Sequence, residues 1–404
     1  MKDANMIKWV IAVMSTFTCM SGNLLADAPL VYQGTEGVGK GKHIVFIAND
    51  HEYRSEQTCP LMAKILAKHH GFTCTVLFGL NDDGTIGSGV NNLPGLDVLK
   101  DADLVFLFAR FMNLPDEQSA LLVDYFERGG PVVGVRTSTH AFNGVKGVWE
   151  KLNFNYDGAD YRGGLGEQVF GNTWHKERGQ SHYGSNHLKA SRITPVPESV
   201  DHVILQGIKQ IHAYSGAYSS QVPEGGVPLL QVQVLATFEP GDALEPGKEI
   251  VNAGWARDHY VAPSGARQEA RVVYTSYGAS EDLKDEGARR FIVNACLWAA
   301  GLEKAITPDL DVSIVGGFAP SPYSSSVLFY EGVRPSDLAA FNSQIMPATA
   351  PLANVGDAKM RGKVIRVLPN RPALAKKLAA LHPELYGPDA KPVQQPPKRK
   401  PKKR

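Results

Sequence analysis

The sequence predicts an α/β fold: a doubly wound, mostly parallel sheet with helices on both faces. Two observations carry this expectation. Short runs that are apolar throughout recur along the chain, as in HIVFIA (43–48), LVFLFA (104–109) and PVVGV (131–135), and stretches with helical spacing alternate with them. Strands without polar alternation are buried on both faces, the condition of a parallel sheet covered by crossover helices. With 43% hydrophobic and 21% charged residues in 404, the chain has material for a large core.

The elements follow in order. Residues 1–28 read as an export signal: Lys2 and Lys8, an apolar stretch, and Ala26-Asp27-Ala28 as a cleavage site. Ser15, Thr16 and Thr18 interrupt that stretch, so no stable membrane span is expected after cleavage, and the destination is periplasmic or extracellular. Residues 29–42 look like a flexible lead-in, and HIVFIA is the first strand. Ser55 is the expected N-cap of a helix that Gly71 stops. FTCTVLFG (72–79) and LVFLFA are the next strands, 116–128 an amphipathic helix closed by Gly129-Gly130, and PVVGV a strand. Residues 143–268 are less regular, with strand-like HVILQGI and LLQVQVLATF, and read as insertions over one end of the sheet. ARVVYTSYG (270–278) is a strand and 285–301 a strong helix. The α/β domain thus spans 43–302, followed by an extension (303–385), in which 371–382 has helical spacing. A disordered basic tail (386–404) ends the chain.

Charge is unevenly spread. The formal net charge is +1, and KRKPKKR at the end carries six positive charges, so the remainder sums to +1 − 6 = −5. That tail lacks interleaved aromatics and reads as solvated, with no specific nucleic-acid partner. After signal cleavage Cys59, Cys74 and Cys296 remain. An odd count without C-x-x-C excludes a full disulfide framework and a zinc-cysteine site, so the three read as small apolar core groups, with a Cys59–Cys74 pairing left open by export.

Ligands of open parallel sheets bind beyond the C-terminal strand ends. Four exit loops should therefore face one crevice: Asn49 to Arg54, Arg110-Phe111, Arg136 to His140, and Thr275 to Tyr277. His140 and His51 are candidate acid/base groups, and Asp50 and Glu52 candidate orienting or catalytic carboxylates. Arg136, Arg110 and Arg54 are candidate substrate clamps, Tyr53 and Trp174 stacking faces, and His175 and His182 further contacts. Zinc would accept such side chains, but no H-E-x-x-H or other tight spacing occurs. No cofactor or metal site is predicted, and a divalent ion such as zinc stays an open alternative. A serine hydrolase lacks its G-x-S-x-G elbow: Ser138 lies two residues past the corner and reads as a cap. GVGKGKH precedes the first strand, the wrong side for a phosphate loop.

The blocks HIVFIANDHEYRSEQTCPLMAKILAKHHGFTCTVLFG, LPGLDVLKDADLVFLFARFMNLPDEQ, PVVGVRTSTHAF and VYTSYGASEDL with NACLWAAGLE together resemble ThuA-like (trehalose-utilisation) proteins over roughly 43–302. The resemblance implies the class I glutamine amidotransferase-like superfamily, a flavodoxin-like sandwich and a link to carbohydrate metabolism. Glutaminases of that superfamily carry cysteine at the elbow. Here Gly134-Val135-Arg136 puts an arginine there, and a guanidinium is no nucleophile. ThuA-like proteins tend to have histidine at this spot, an acidic residue near the position of His140, and Gly-His after the late strand. This chain has Gly278-Ala279 there, which implies a subfamily in which Arg136 and His140 replace the usual pair. The expected function is binding or processing of a sugar or modified glycoside without glutaminase activity. The alternative is a non-catalytic carbohydrate-binding or scaffold protein on the same fold. Nothing in the sequence sets the oligomeric state.

Overall fold

The computed structural model describes residues 29–50, 52–175, 177, 179–183, 189–323, 329–346, 352, 361–362, 364–365, 368–370 and 372–390. The signal-like segment, His51 and most of the basic tail lie outside them.

In chain order the elements are β1 (Leu30–Gln33), β2 (His43–Asn49), α1 (Ser55–His70), β3 (Thr73–Phe78), β4 (Leu104–Ala109), α2 (Asp116–Glu127) and β5 (Val132–Val135). Then come β6 (Ser181–Tyr183), β7 (Ser191–Pro195), β8 (Ile211–Ala213), β9 (Ala217–Ser219), β10 (Val227–Val234) and β11 (Val251–Arg257). The short β12 (Tyr260–Val261) and β13 (Arg267–Gln268), β14 (Val272–Thr275), α3 (Glu286–Ala299), α4 (Pro372–Leu381) and the one-turn α5 (Pro383–Tyr386) follow. One ten-stranded sheet has the order β1-β3-β2-β4-β5-β14-β11-β10-β7-β8. Its centre, from β3 to β14, is parallel, and every pairing outside that centre is antiparallel.

The apolar strands are buried on both sides, as their composition requires. Ile44, Phe46 and Ala48 of β2 join the core under α1 and α3, while Val45 and Ile47 join the core under α2. Cys59, Cys74 and Cys296 sit free inside the first of these cores, where burial pushes their thiols upward. Among the described residues no helix is long and apolar enough to cross a membrane.

Four local expectations change. The lead-in contains β1, which pairs with β3 from Leu30↔Val76 to Gln33↔Thr73. Ser55 is the first helical residue and not the cap; Arg54 precedes the helix in the left-handed region (φ 67°), and Ser55 Oγ accepts from the Asp50 N–H at 2.7 Å. The middle segment extends the sheet sideways through β11, β10, β7 and β8. Within it, the strand-like HVILQGI instead holds a short 3-10 turn at Val203–Leu205, and the LLQVQVLATF run supplies most of β10.

Described residues of the C-terminal extension lie against α1 and α3. Lys64 Nζ donates to Ser343 O at 2.7 Å and Arg289 Nε to Val312 O at 2.8 Å, and His70 Nε2 lies 2.9 Å from Asp311 O.

Candidate active site

From β2 the chain crosses to β3 on one side and later returns to β4 on the other, so the loops leaving β2 and β4 diverge. This is the topological switch point at which α/β sheets open a crevice. Two contacts bridge it. The Arg110 N–H donates to Asn49 O at 3.0 Å, and Arg110 Nε pairs with Glu52 Oε2 at 3.0 Å. Both side chains remain partly solvent-accessible, at 24% and 17%. The Arg110 guanidinium also lies 4.3 Å from the centre of the Phe111 ring.

The loop after β5 delivers His140 beside this pair. The Phe111 N–H donates to His140 O at 3.1 Å, joining the β4 and β5 exits. Around the His140 ring stand Trp174 (5.0 Å between centres), Phe111 (5.4 Å), Tyr218 (6.1 Å) and Phe154 (6.3 Å). His182 completes the wall, its ring edge-on to Trp174 at 4.8 Å. The short turn at Gly166–Phe170 backs directly onto this loop because a Cβ on Gly166 would come within 1.9 Å of Thr139 O. His140 is buried, and desolvation, then Arg110, Arg136 and His182, hold its imidazole well below the usual range. His182 is displaced the same way, by burial and by Arg136 and Arg110 against the opposing pull of Glu52. Burial and the neighbouring cations thus favour the neutral form of both rings.

Arg136 retains the strained elbow of the corner (φ 49°) but points into the protein. Its guanidinium donates to Gly216 O, Ser276 O and Ser215 O at 2.9–3.0 Å. It also stacks on Tyr53 at 3.9 Å and Tyr218 at 4.7 Å. Desolvation opposes the charge, but Tyr53, Tyr218 and Asp282 outweigh it and raise the pKa. Ser215 links the arginine to that carboxylate, since its N–H and hydroxyl donate to Asp282 at 2.8 and 2.6 Å. Arg136 is thus a buried pin: its two terminal nitrogens donate to main-chain carbonyls, while Nε is buried without a hydrogen-bond partner.

Other residues named from the sequence also turn inward. Asp50 Oδ1 accepts from the N–H groups of Glu52 and Tyr53, and Oδ2 accepts from Thr137 Oγ1, so this carboxylate ties the β2 and β5 exits together. Arg54 is buried and donates from Nε to Pro322 O at 3.2 Å. His175 accepts at 3.4 Å from the Glu177 N–H and makes no ring contact with the cluster among the described residues. Ser138 is not the N-cap expected of it: it is the third residue of the 3-10 turn Arg136–His140, whose cap position is Val135, and its Oγ accepts from the Val135 N–H and donates toward Leu107 O and Val135 O. Ser138→Ala is expected to cost about 1–3 kcal/mol in urea unfolding, and a serine-directed phosphonate should label neither form. Among the described residues no three His, Cys, Asp or Glu side chains converge on a possible metal position.

The structure therefore brings together Glu52, Arg110, His140 and His182, with Tyr53 and Arg136 behind them. It does not bring in Asp50, Arg54 or His175. Tyr218 and Phe154 escaped sequence reading because each lies outside the strand-exit loops, in segments without a motif.

No protein-family model matches the chain, and no curated protein matches it. Solved structures do. A protein described as ThuA-like from Bacteroides uniformis ATCC 8492 aligns at 13% identity and TM-score 0.40, covering 69% of this chain and 98% of its own. A second, from Parabacteroides merdae ATCC 43184, aligns at 15% identity and TM-score 0.37, covering 65% and 90%. The glutaminase domain of Trypanosoma brucei CTPS with bound acivicin aligns at 11% identity and TM-score 0.31, covering 67% and 98%.

Proposed function

We propose that this is an exported protein that binds, and by acid–base chemistry processes, a sugar or modified glycoside at the switch-point crevice, without glutaminase activity. The observation that carries the reading is the Glu52–Arg110 pair beside the aromatic wall of Trp174, Phe111 and Tyr218. Sugars offer C–H faces that settle on aromatic rings and hydroxyls that a carboxylate and a guanidinium can hold at fixed angles. His182, exposed and favoured in its neutral form, is the accessible proton acceptor, and Glu52 is the accessible carboxylate. Glutaminase chemistry has no nucleophile here, since the corner holds a buried arginine and the Ser138 hydroxyl is bound to main-chain carbonyls.

A second reading, a non-catalytic carbohydrate-binding protein, is favoured by one observation: His140, at the centre of the wall, is almost fully buried. Calorimetry against mono- and disaccharides and their oxidised derivatives tests both. Wild type should bind at least one, and Arg110→Ala and Trp174→Ala should each weaken it by about tenfold or more with little change in Tm. Turnover lost in His182→Ala while binding persists supports processing; binding without turnover supports the second reading. No saccharide bound at millimolar concentration contradicts both.

A further inference from the structure

We propose that the C-terminal extension is part of this site, and that Tyr323 is a positioning residue that holds Tyr53, Arg136 and Tyr218 in the arrangement the crevice requires. The proposal rests on the crevice reading above and adds to it a segment from outside the α/β domain.

The contacts form a continuous series. At its outer end, Ser321 is fixed by a reciprocal pair with Gln57: Gln57 Nε2 donates to Ser321 Oγ at 2.7 Å, and the Ser321 N–H donates to Gln57 Oε1 at 3.0 Å. Ser280 Oγ donates to Ser321 O at 3.0 Å, and Arg54 Nε to Pro322 O. Three elements, the first turn of α1, the residue before it and the loop after β14, thereby grip two consecutive residues of the extension. Those anchors present the Tyr323 ring, nearly parallel to that of Tyr53 (20°, 5.1 Å between centres). The Tyr53 ring in turn carries the Arg136 guanidinium, which lies 5.9 Å from the Tyr323 ring itself. Tyr218 stands edge-on to Tyr53 at 6.4 Å and shares Arg136 with it. Its ring also borders His140, Trp174 and His182.

A buried guanidinium keeps its place only where its whole surroundings hold it. Of the three tyrosines facing Arg136, only Tyr323 comes from beyond residue 302. Its anchors use buried polar groups, Gln57 and Arg54, which a mere surface tether does not require. Removing its ring leaves the outer face of Tyr53 uncovered and lets Tyr53, Arg136 and Tyr218 relax together.

The test compares Tyr323→Ala, Tyr323→Phe and Lys64→Met, the last releasing the extension at Ser343 rather than near the crevice. In the ligand-free full chain, the ring resonances of His140 and His182 are followed by NMR on histidine-labelled protein, and saccharide affinity is measured by calorimetry. Tyr323→Ala should move both resonances and weaken the ligand by about tenfold. Tyr323→Phe should restore both readouts. Lys64→Met should lower Tm and leave both as in wild type. Unmoved resonances in Tyr323→Ala would overturn the proposal, as would equal movement in Lys64→Met, which would mark general loosening. If wild type binds no saccharide, the crevice reading fails, and the resonances alone still decide the positioning role.

Discussion

Arg136→Met should be among the most damaging single substitutions in this protein, and the damage should be to folding. Methionine fills much of the volume but leaves Gly216 O, Ser276 O and Ser215 O without their donor and removes the cation from between Tyr53 and Tyr218. Breaking a buried, hydrogen-bonded charge costs about 3–5 kcal/mol, a large part of the roughly 5–15 kcal/mol that holds a domain together. Tm should fall by about 10 °C. Arg136→Lys should lie between, because an ammonium keeps the charge and loses the planar fork. Calorimetric melting checks this. A methionine variant with unchanged Tm and lost ligand binding would instead make Arg136 a ligand-facing group.

Glu56→Gln should change the pH dependence of stability. Glu56 is buried at the start of α1, its Oε2 has no hydrogen-bond partner, and burial, partly offset by Arg54, raises its pKa from 4.5 to about 8. The folded state therefore keeps a proton that the unfolded state releases. The group's contribution is complete below about pH 4.5, is lost progressively as pH rises to about 8, and is flat beyond. Glutamine keeps the shape and cannot ionise. Urea unfolding should give nearly equal stability for the two proteins near pH 4, and a variant more stable by roughly 3–5 kcal/mol at pH 8. Parallel stability profiles would show that Glu56 is ionised in the folded protein.

Much of the parallel centre was legible from sequence, because a strand buried on both faces must be apolar throughout and its crossover helix must show one apolar stripe. HIVFIA, LVFLFA and PVVGV needed no tertiary information. The antiparallel wing was not legible: β11 reads VNAGWAR, with polar and glycine residues that mimic a loop, and its place beside β14 is set by pairing across distant segments. The same division holds at the site. Exit loops of parallel strands had to share one end of the sheet, which placed Glu52, Arg110 and His140 correctly near one another. Side-chain direction does not follow from that rule. Arg136 and Asp50 are loop residues with charged groups, ordinarily solvent-facing, yet the positive φ at Arg136 and the carbonyls of 215, 216 and 276 draw the first inward. The turn at 50–53 and Thr137 claim the second. Such burial depends on partners that only the folded chain assembles, and so does the convergence of Tyr53, Tyr218 and Tyr323.

The central claim is that the crevice between the β2 and β4 exits is the ligand site. Backbone NMR of the labelled chain, titrated with the saccharide panel, tests it most directly. The account predicts saturable shifts concentrated at Glu52, Arg110, Phe111, Trp174, His182 and Tyr218, and their loss in Arg110→Ala. Saturable shifts elsewhere on the molecule, or none with any saccharide, would contradict it.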